Sequence, residues 1–515
     1  MTGRYPRRAG ALGAVALLLA APVGAARAQS SPYLPLDDVA YGYIDALQAR
    51  GALRDLSALE RPYTVQAVRA ALARADLTPG GARWVGAVRG ALDKHFPTTS
   101  SPDSGLFTAA VVPYVIGQSS AVRELMRADD TELTTVGGAA RLLLHGGRVT
   151  AVARGYGDQR LRDDPDFVGK RDRVVAGRLE DAYIAAHWQL GEIAAGRTAR
   201  RWAPLGVQGL QVGDYTYSYD HIFARLGGER IRLTSIIARL DDMRLGGGDS
   251  IAQRYFTAHR LAGRIRNVEV GVSESIVYGG IDRGFDPALA SPTNVYSVSQ
   301  YSENRTINVS YGADFTWRPA WVGAIGAQFM LDDVQIDDCG IGCEEPPSYG
   351  VTVAIEGVPL VQELRGFGTY TRLSHLAYRT VHPYERYASF DVGLGLGYSD
   401  YDEARVGLDV GPFLPVPVRA YIAIRRQGSG DYRDPFPSAD ALPTTPTFLF
   451  APTTRVFRVG VSGVGRLAGD VELRADLGIN QVQPENAPTL RTTSFEGRVT
   501  VALETARLRL STPLR

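Results

Sequence analysis

Apolar and polar residues alternate over much of the chain beyond about residue 105. Val471, Leu473, Ala475, Leu477 and Ile479 alternate with Glu472, Arg474, Asp476, Gly478 and Asn480. The same period of two runs through Ile307, Val309, Tyr311, Ala313, Phe315 and Trp317. It recurs in Val418, Ala420, Ile422 and Ile424, and in Phe390, Val392, Leu394, Leu396 and Tyr398. Successive strand side chains point to opposite faces, so each such segment has one apolar and one polar face. A soluble sandwich packs the apolar face on a second sheet, whereas a transmembrane barrel turns it to lipid and lines its lumen with the polar one. Connection lengths separate these two cases. Tight connections at Gly146-Gly147, Gly191, Gly263 and Arg466–Gly469 alternate with long polar ones at 158–178, 277–304, 332–348 and 427–452. Short turns at one end and long loops at the other are the habit of outer-membrane barrels. At roughly 22 residues per strand with its connection, the region holds about 18 antiparallel strands, an even number being the rule. The expected fold is mainly β: a large antiparallel transmembrane barrel behind a small N-terminal α-helical bundle.

The pattern before residue 100 is different. Asp37 is placed to cap a helix carrying Val39, Ile44 and Leu47 and ended by Gly51. Thr64 is placed to cap a second with Val65, Val68 and Leu72, and Pro79 opens a third with Trp84, Val85, Val88 and Leu92. Helices this short are marginal alone and require a partner surface. A Ser/Thr/Pro-rich stretch, Pro97–Asp103, marks the boundary. At the very start, Arg4, Arg7 and Arg8 precede the apolar run Ala9–Ala21 and the small-x-small site Ala26-Arg27-Ala28. That is the form of a secretory signal cleaved before Gln29. The expected domains are a signal peptide at 1–28, a helical domain at 29–100 acting as a periplasmic plug, and an outer-membrane barrel at 104–515.

Composition narrows the function. The 57 glycines and 25 tyrosines suit curved strands and membrane–water interfaces. The net charge of +1 becomes −3 once the four arginines of 1–28 are removed, which leaves no basic excess for nucleic acid. The only cysteines, Cys339 and Cys343, lie four residues apart in an acidic stretch, and export to an oxidising compartment favours a local disulfide. The seven histidines are scattered and no G-x-S-x-G elbow occurs, so neither an enzyme nor a metal or cofactor site is expected.

Two clusters carry the candidate chemistry. The first holds Arg197, Arg200, Arg201 and Trp202, followed by Asp214 and Tyr215. Arginine forks meet carboxylates and hydroxyls, and aromatic rings stack on the apolar faces of sugars. The second holds Glu274 and Tyr278. Glu274 shares parity with Val268, Val270 and Val272, which would place a carboxylate toward lipid. Either a bulge or a loop beginning before Glu274 avoids that cost, and the loop, with both residues near the barrel mouth, is the expected arrangement.

At these clusters the chain resembles the Wzi family of capsule-assembly outer-membrane proteins. The resemblance runs through Pro35-Leu36-Asp37, Leu47, Gly51, Leu53 and Arg61-Pro62-Tyr63, and resumes at Gly196-Arg197, Arg201-Trp202, Ser273-Glu274 and Tyr278-Gly279. It implies an 18-stranded barrel with a helical bundle at its periplasmic end and a lectin-like, non-catalytic role in holding capsular polysaccharide. The implied partners are an anionic or neutral surface polysaccharide, outer-membrane lipid and the barrel-insertion machinery. The helical region is also similar to a single surface-layer-homology repeat, through Asp38-Val39, Leu47, Gly51 and Val65–Leu72, which points to cell-wall association. A diffusion porin and, further off, an outer-membrane lipid- or glycan-modifying enzyme are the alternative functions.

Overall fold

The structure, a computed structural model, describes residues 30–75, 83–96, 104–129, 131–245, 250–301, 306–333, 346–361, 364–410, 414, 416–468 and 470–513. The expected signal peptide, Cys339 and Cys343 lie outside the described residues.

Among the described residues the chain forms a closed antiparallel β-barrel of 18 strands with a few helices. The strands are β1 Ser104–Gln118, β2 Leu133–Gly146, β3 Val149–Asp158, β4 Ala176–Trp188, β5 Gly191–Arg197 and β6 Asp220–Gly227. They continue with β7 Ile231–Arg239, β8 Ile251–Ile265, β9 Val268–Ile281, β10 Asn308–Trp317, β11 Ala324–Asp333 and β12 Ser348–Val361. The last are β13 Leu364–Leu373, β14 Tyr401–Val410, β15 Val418–Gln427, β16 Thr454–Ala468, β17 Val471–Pro484 and β18 Thr492–Leu503, which runs on through Ala506–Pro513. Each strand pairs with the next, and β1 closes the wall against β18, with Tyr114 opposite Ala502 and Ser104 opposite Pro513. The pairing slips by one residue between Val111↔Ala506 and Tyr114↔Ala502, so 492–513 is a single strand with an irregularity at 504–505. Closure removes every sheet edge, which a lipid environment requires.

The two faces separate as the alternation demands. Leu142, Leu144, Val270, Val272, Ile422, Ile424, Val459 and Val461 all point outward and are exposed. Their sequence neighbours of opposite parity point into the barrel. Arg260 lies fully buried there and grips Asp314 through two hydrogen bonds of 2.7 and 2.6 Å. Removing one partner of such a pair strands a charge at a cost of about 3–5 kcal/mol.

Helices α1 Ala40–Ala49, α2 Val65–Arg74 and α3 Arg83–His95 pack around Ile44, Leu47, Val68, Val88 and Leu92. Thr64 caps α2 by accepting the Ala67 N–H at 3.1 Å. Asp37 does not cap α1. Asp38 takes the Ala40 N–H at 2.9 Å, while Asp37 is held by Nη1 of Arg154 at 2.8 Å. The wall arginine outbids the helix end because it offers a full charge. The helices sit at the short-turn end of the barrel: Ser30 N–H donates to the Gly147 carbonyl at 2.9 Å, and Arg318 and Arg264 donate to the carbonyls of Leu56 and Arg54 at 3.2 and 2.7 Å. Gly51, at φ +74°, ends the turn after α1 where a Cβ would stand 2.7 Å from the Arg318 carbonyl.

Two connections at the long-loop end, 198–219 and 374–400, fold inward and fill the lumen. Gln328, Ser273, Ser275 and Ser310 point inward from the wall, opposite in parity to exposed Phe329, Val270 and Val272. Gln328 accepts the Leu210 N–H and donates to the Trp202 carbonyl, both at 2.9 Å. Gln211 binds Ser273, Ser275 and Ser310. The two segments hold each other through Gly213 N–H to Leu394 O at 2.8 Å and Tyr387 O–H to Gln211 O at 3.0 Å. From the opposite end Glu60–Arg61 pairs with Arg201–Trp202 as a small antiparallel ladder, and Ser57 donates to Glu269 of the wall at 2.6 Å. The resulting interior core includes Trp202, Leu210, Val212, Tyr378, Tyr387, Leu394 and Leu396.

Three expectations are corrected here. The alternating segment 386–398 is not a barrel strand: apart from short pairings at Ala388–Ser389 and Val392–Gly393 it is irregular, and Val392, Leu394, Leu396 and Tyr398 are buried inside the lumen while Phe390 is exposed. The turn expected at Gly263 lies at Arg266-Asn267, because β8 continues to Ile265. Glu274 lies in no loop: β9 runs without a bulge through Ile281, and the connection begins only after it.

Candidate functional site

At the long-loop end, above the lumen core, arginines lie across tyrosine rings contributed by separate loops. The Arg123 guanidinium carbon is 4.6 Å from the ring centre of Tyr215 and 4.5 Å from that of Tyr217. Arg178 covers Tyr217 at 4.1 Å, and Arg127 covers Tyr398 at 3.8 Å. Each stack is worth about 0.5–2 kcal/mol, more where water is excluded. Arginine suits the role because its planar, weakly hydrated cation stacks while its N–H groups donate in plane. Arg123 donates to the Tyr215 carbonyl at 2.6 Å and to Asp166 at 3.0 Å. Asp166 also receives Arg433 at 3.3 Å, Tyr217 O–H reaches Asp164 at 2.6 Å, and Tyr215 and Tyr398 share a hydrogen bond of 2.9 Å. Beside this network the 159–175 loop exposes Arg162, Lys170, Arg171 and Arg173.

The residues singled out from sequence occupy different places. Tyr215 belongs to the network just described. Arg201 lies 3.4 Å from Asp214, and Trp202 is only 1% exposed among the segments that fill the lumen. Arg200 is buried beside them, 3.3 Å above Phe223, and donates to His221 at 2.8 Å. The Trp202 ring therefore presents no open face. Arg197 forms a two-bond pair with Asp220, its register partner, at 3.1 and 2.7 Å. That pair points outward, in line with exposed Ile222.

Glu274 and Tyr278 also face outward, and the cost of a carboxylate there is met by the 282–301 connection, which folds back over the outer wall. Tyr296 N–H donates to Glu274 at 2.9 Å, Ser297 O–H at 3.4 Å, and His259 on β8 approaches at 3.4 Å. Tyr278 stacks on Tyr255 at 5.1 Å and is covered with Leu289, Tyr296 and Ile307.

Glu385, in the 374–400 segment, is 3% exposed and its Oε1 has no hydrogen-bond partner. Burial pushes this carboxyl up to about 7, with Arg283 pulling weakly the other way. Among the described residues no group of three or more His, Cys, Asp or Glu side chains is placed to hold a metal.

Among the network's members, Tyr217 follows Tyr215 in the first cluster and Tyr398 belongs to an alternating segment, but Arg123 and Arg127 had no signal of their own in the sequence. The members come from connections far apart in the chain, and only their meeting in space makes them a unit.

A closed antiparallel wall, an apolar outer belt and a filled lumen define the class: an outer-membrane-type β-barrel. The structure of Wzi, an outer membrane protein involved in group 1 capsule assembly in Escherichia coli and described as a carbohydrate-binding β-barrel, shares the fold with a TM-score of 0.62 and 13% identity, over 92% of this chain and 100% of that one. OprD of Pseudomonas aeruginosa matches at a TM-score of 0.41 and 11% identity, over 79% of this chain and 95% of that one. OccAB3 of Acinetobacter baumannii matches at 0.44 and 8%, over 80% and 100%. No protein-family model and no curated protein sequence matches the chain.

Proposed function

We propose that the protein sits in the outer membrane with its long loops outside, and that it binds an anionic surface polysaccharide at that face without catalysis. The observation that carries this reading is the arginine-on-tyrosine network built over a filled lumen. A polysaccharide needs in-plane donors for hydroxyls and carboxylates, a cationic surround and aromatic edges, and the loop end offers all three. The exposed Arg162, Lys170, Arg171 and Arg173 of the 159–175 loop, partly offset by Asp163 and Asp172, supply local attraction, and the network supplies a rigid floor with Tyr215 at its base. In this reading the helical domain is the periplasmic plug, and Arg200, Arg201 and Trp202 act by tying that plug to the inward loops rather than by touching sugar. The carbohydrate binding named for the Wzi structure agrees in kind.

The test is binding of labelled acidic and neutral surface polysaccharides to the intact, detergent-solubilised protein. The R162S/K170S/R173S variant alters exposed side chains only and is expected to lose at least tenfold in affinity for acidic chains, with a weaker salt dependence than the parent. Equal binding by parent and variant removes the 159–175 loop from the site. Absence of polysaccharide binding by the parent ends the proposal.

A further inference from the structure

A cavity of about 220 Å³ opens between the 374–400 and 428–453 connections at the loop end. It is smaller than the roughly 300–1,000 Å³ of a drug-sized site and has room for a single ring. Its wall combines His375, Arg379, Asp434, Thr445 and Phe450.

The cavity is built, not incidental. Asp400, fully buried, gathers the two connections: its Oδ2 accepts the Phe450 N–H at 2.9 Å and the Gly430 N–H at 3.2 Å. The His375 ring lies flat against Phe450, with centroids 4.8 Å apart and planes 11° from parallel. Gly430 is required there, since a Cβ would stand 2.1 Å from His375 Nδ1. Arg379 is anchored at both ends of its guanidinium fork, with Nη1 at 3.1 Å from His375 and Nη2 on the Pro435 carbonyl. Its Nε, in a residue that is 8% exposed, has no hydrogen-bond partner, whereas His375 Nδ1 stands 3.6 Å from the buried Asp400 carboxylate. A buried donor without an acceptor is costly, and a ligand that supplies the acceptor recovers that cost. Phe450 remains 40% exposed at the rim.

We infer that this cavity is a subsite for one sugar ring bearing a carboxylate. The Arg379 Nε–H meets the carboxylate in a charge-assisted hydrogen bond. Phe450 supplies the apolar surface for a ring face, and Asp434 and Thr445 take hydroxyls. The inference rests on the polysaccharide reading above and sharpens it: the glycan is held by acidic residues taken one at a time, not only by overall charge.

The experiment uses the full chain in detergent, titrated calorimetrically with a short oligoglucuronate, with its carboxyl-reduced counterpart and with acetate. R379Q and F450A are measured beside the parent, with folding checked by the mobility shift of unheated against heated protein. The expected result is at least tenfold tighter binding of oligoglucuronate than of the reduced chain by the parent. R379Q should abolish that preference, and F450A should weaken both ligands. Equal affinity for the two oligosaccharides in the parent, or an undiminished preference in R379Q, overturns the subsite. Acetate competing as well as the oligosaccharide reduces it to a simple anion site and removes the sugar from the inference. If binding is lost in R162S/K170S/R173S but kept in both R379Q and F450A, the polysaccharide reading stands and the subsite falls. If no glycan binds the parent, both fall.

Discussion

Single carboxyl groups at the loop end and at the helix–wall junction respond to pH with opposite signs. Glu385 is held among loop residues with one oxygen unpaired, so burial favours its protonated form and raises its carboxyl to about 7. For a carboxyl raised on folding, the contribution to stability is full below the ordinary value of 4.5 and is lost as pH climbs through about 7. The 374–400 segment should therefore be better protected at pH 5 than at pH 8. Glu385→Gln should protect it equally at both, with a gain at pH 8 of at most about 3 kcal/mol. Hydrogen exchange of residues 380–390 measures this, and the same pH dependence in parent and variant would refute it. Asp37 shows the opposite sign. Its partial burial raises its carboxyl, but Arg154 and Arg474 overcome that and hold it at about 2, so its tie between helices and wall persists until pH falls below the ordinary 3.8 toward about 2.

At the scale of elements, the 282–301 connection illustrates how a polar group survives on an outward face. Glu274 stands in line with lipid-facing valines, yet it accepts backbone and hydroxyl donors from the folded-back segment. Glu274→Ala should leave the barrel intact and release that segment, because the Tyr296 N–H loses its acceptor at a cost of about 1–3 kcal/mol. Exchange at residues 294–300 should rise by tenfold or more while the strands stay protected. Unchanged exchange would mean that apolar packing around Tyr278 and Leu289 suffices. The sequence carried the barrel wall well, since segments such as 471–480 have one use for a period of two. It did not separate the wall from 386–398, where the same period serves a packed interior. The distinguishing mark was present in the spacing of Gly393, Gly395 and Gly397. A Cβ on Gly395 would stand 2.0 Å from the Leu210 carbonyl, and one on Gly397 would stand 2.1 Å from the Tyr215 ring. Those glycines admit a second chain segment, which no single stretch of sequence announces. Arg201 and Trp202 illustrate the same limit: an arginine beside an aromatic ring serves a core as readily as a ligand.

For the whole molecule, the central claim is that the cylinder is closed to solutes and works through its loop-end face. The lumen is crossed by 198–219 and 374–400 from one end and met by Ser57 to Arg61 from the other. These segments are locked to the wall by Gln211, Gln328 and the Arg232 contacts with Glu60 and Glu269. Planar-bilayer recording of the reconstituted full chain tests this most directly. The account requires no steady ion conductance from the inserted protein, verified by its heat-modifiable mobility. Large, stable, uniform current steps from the unaltered protein would contradict it.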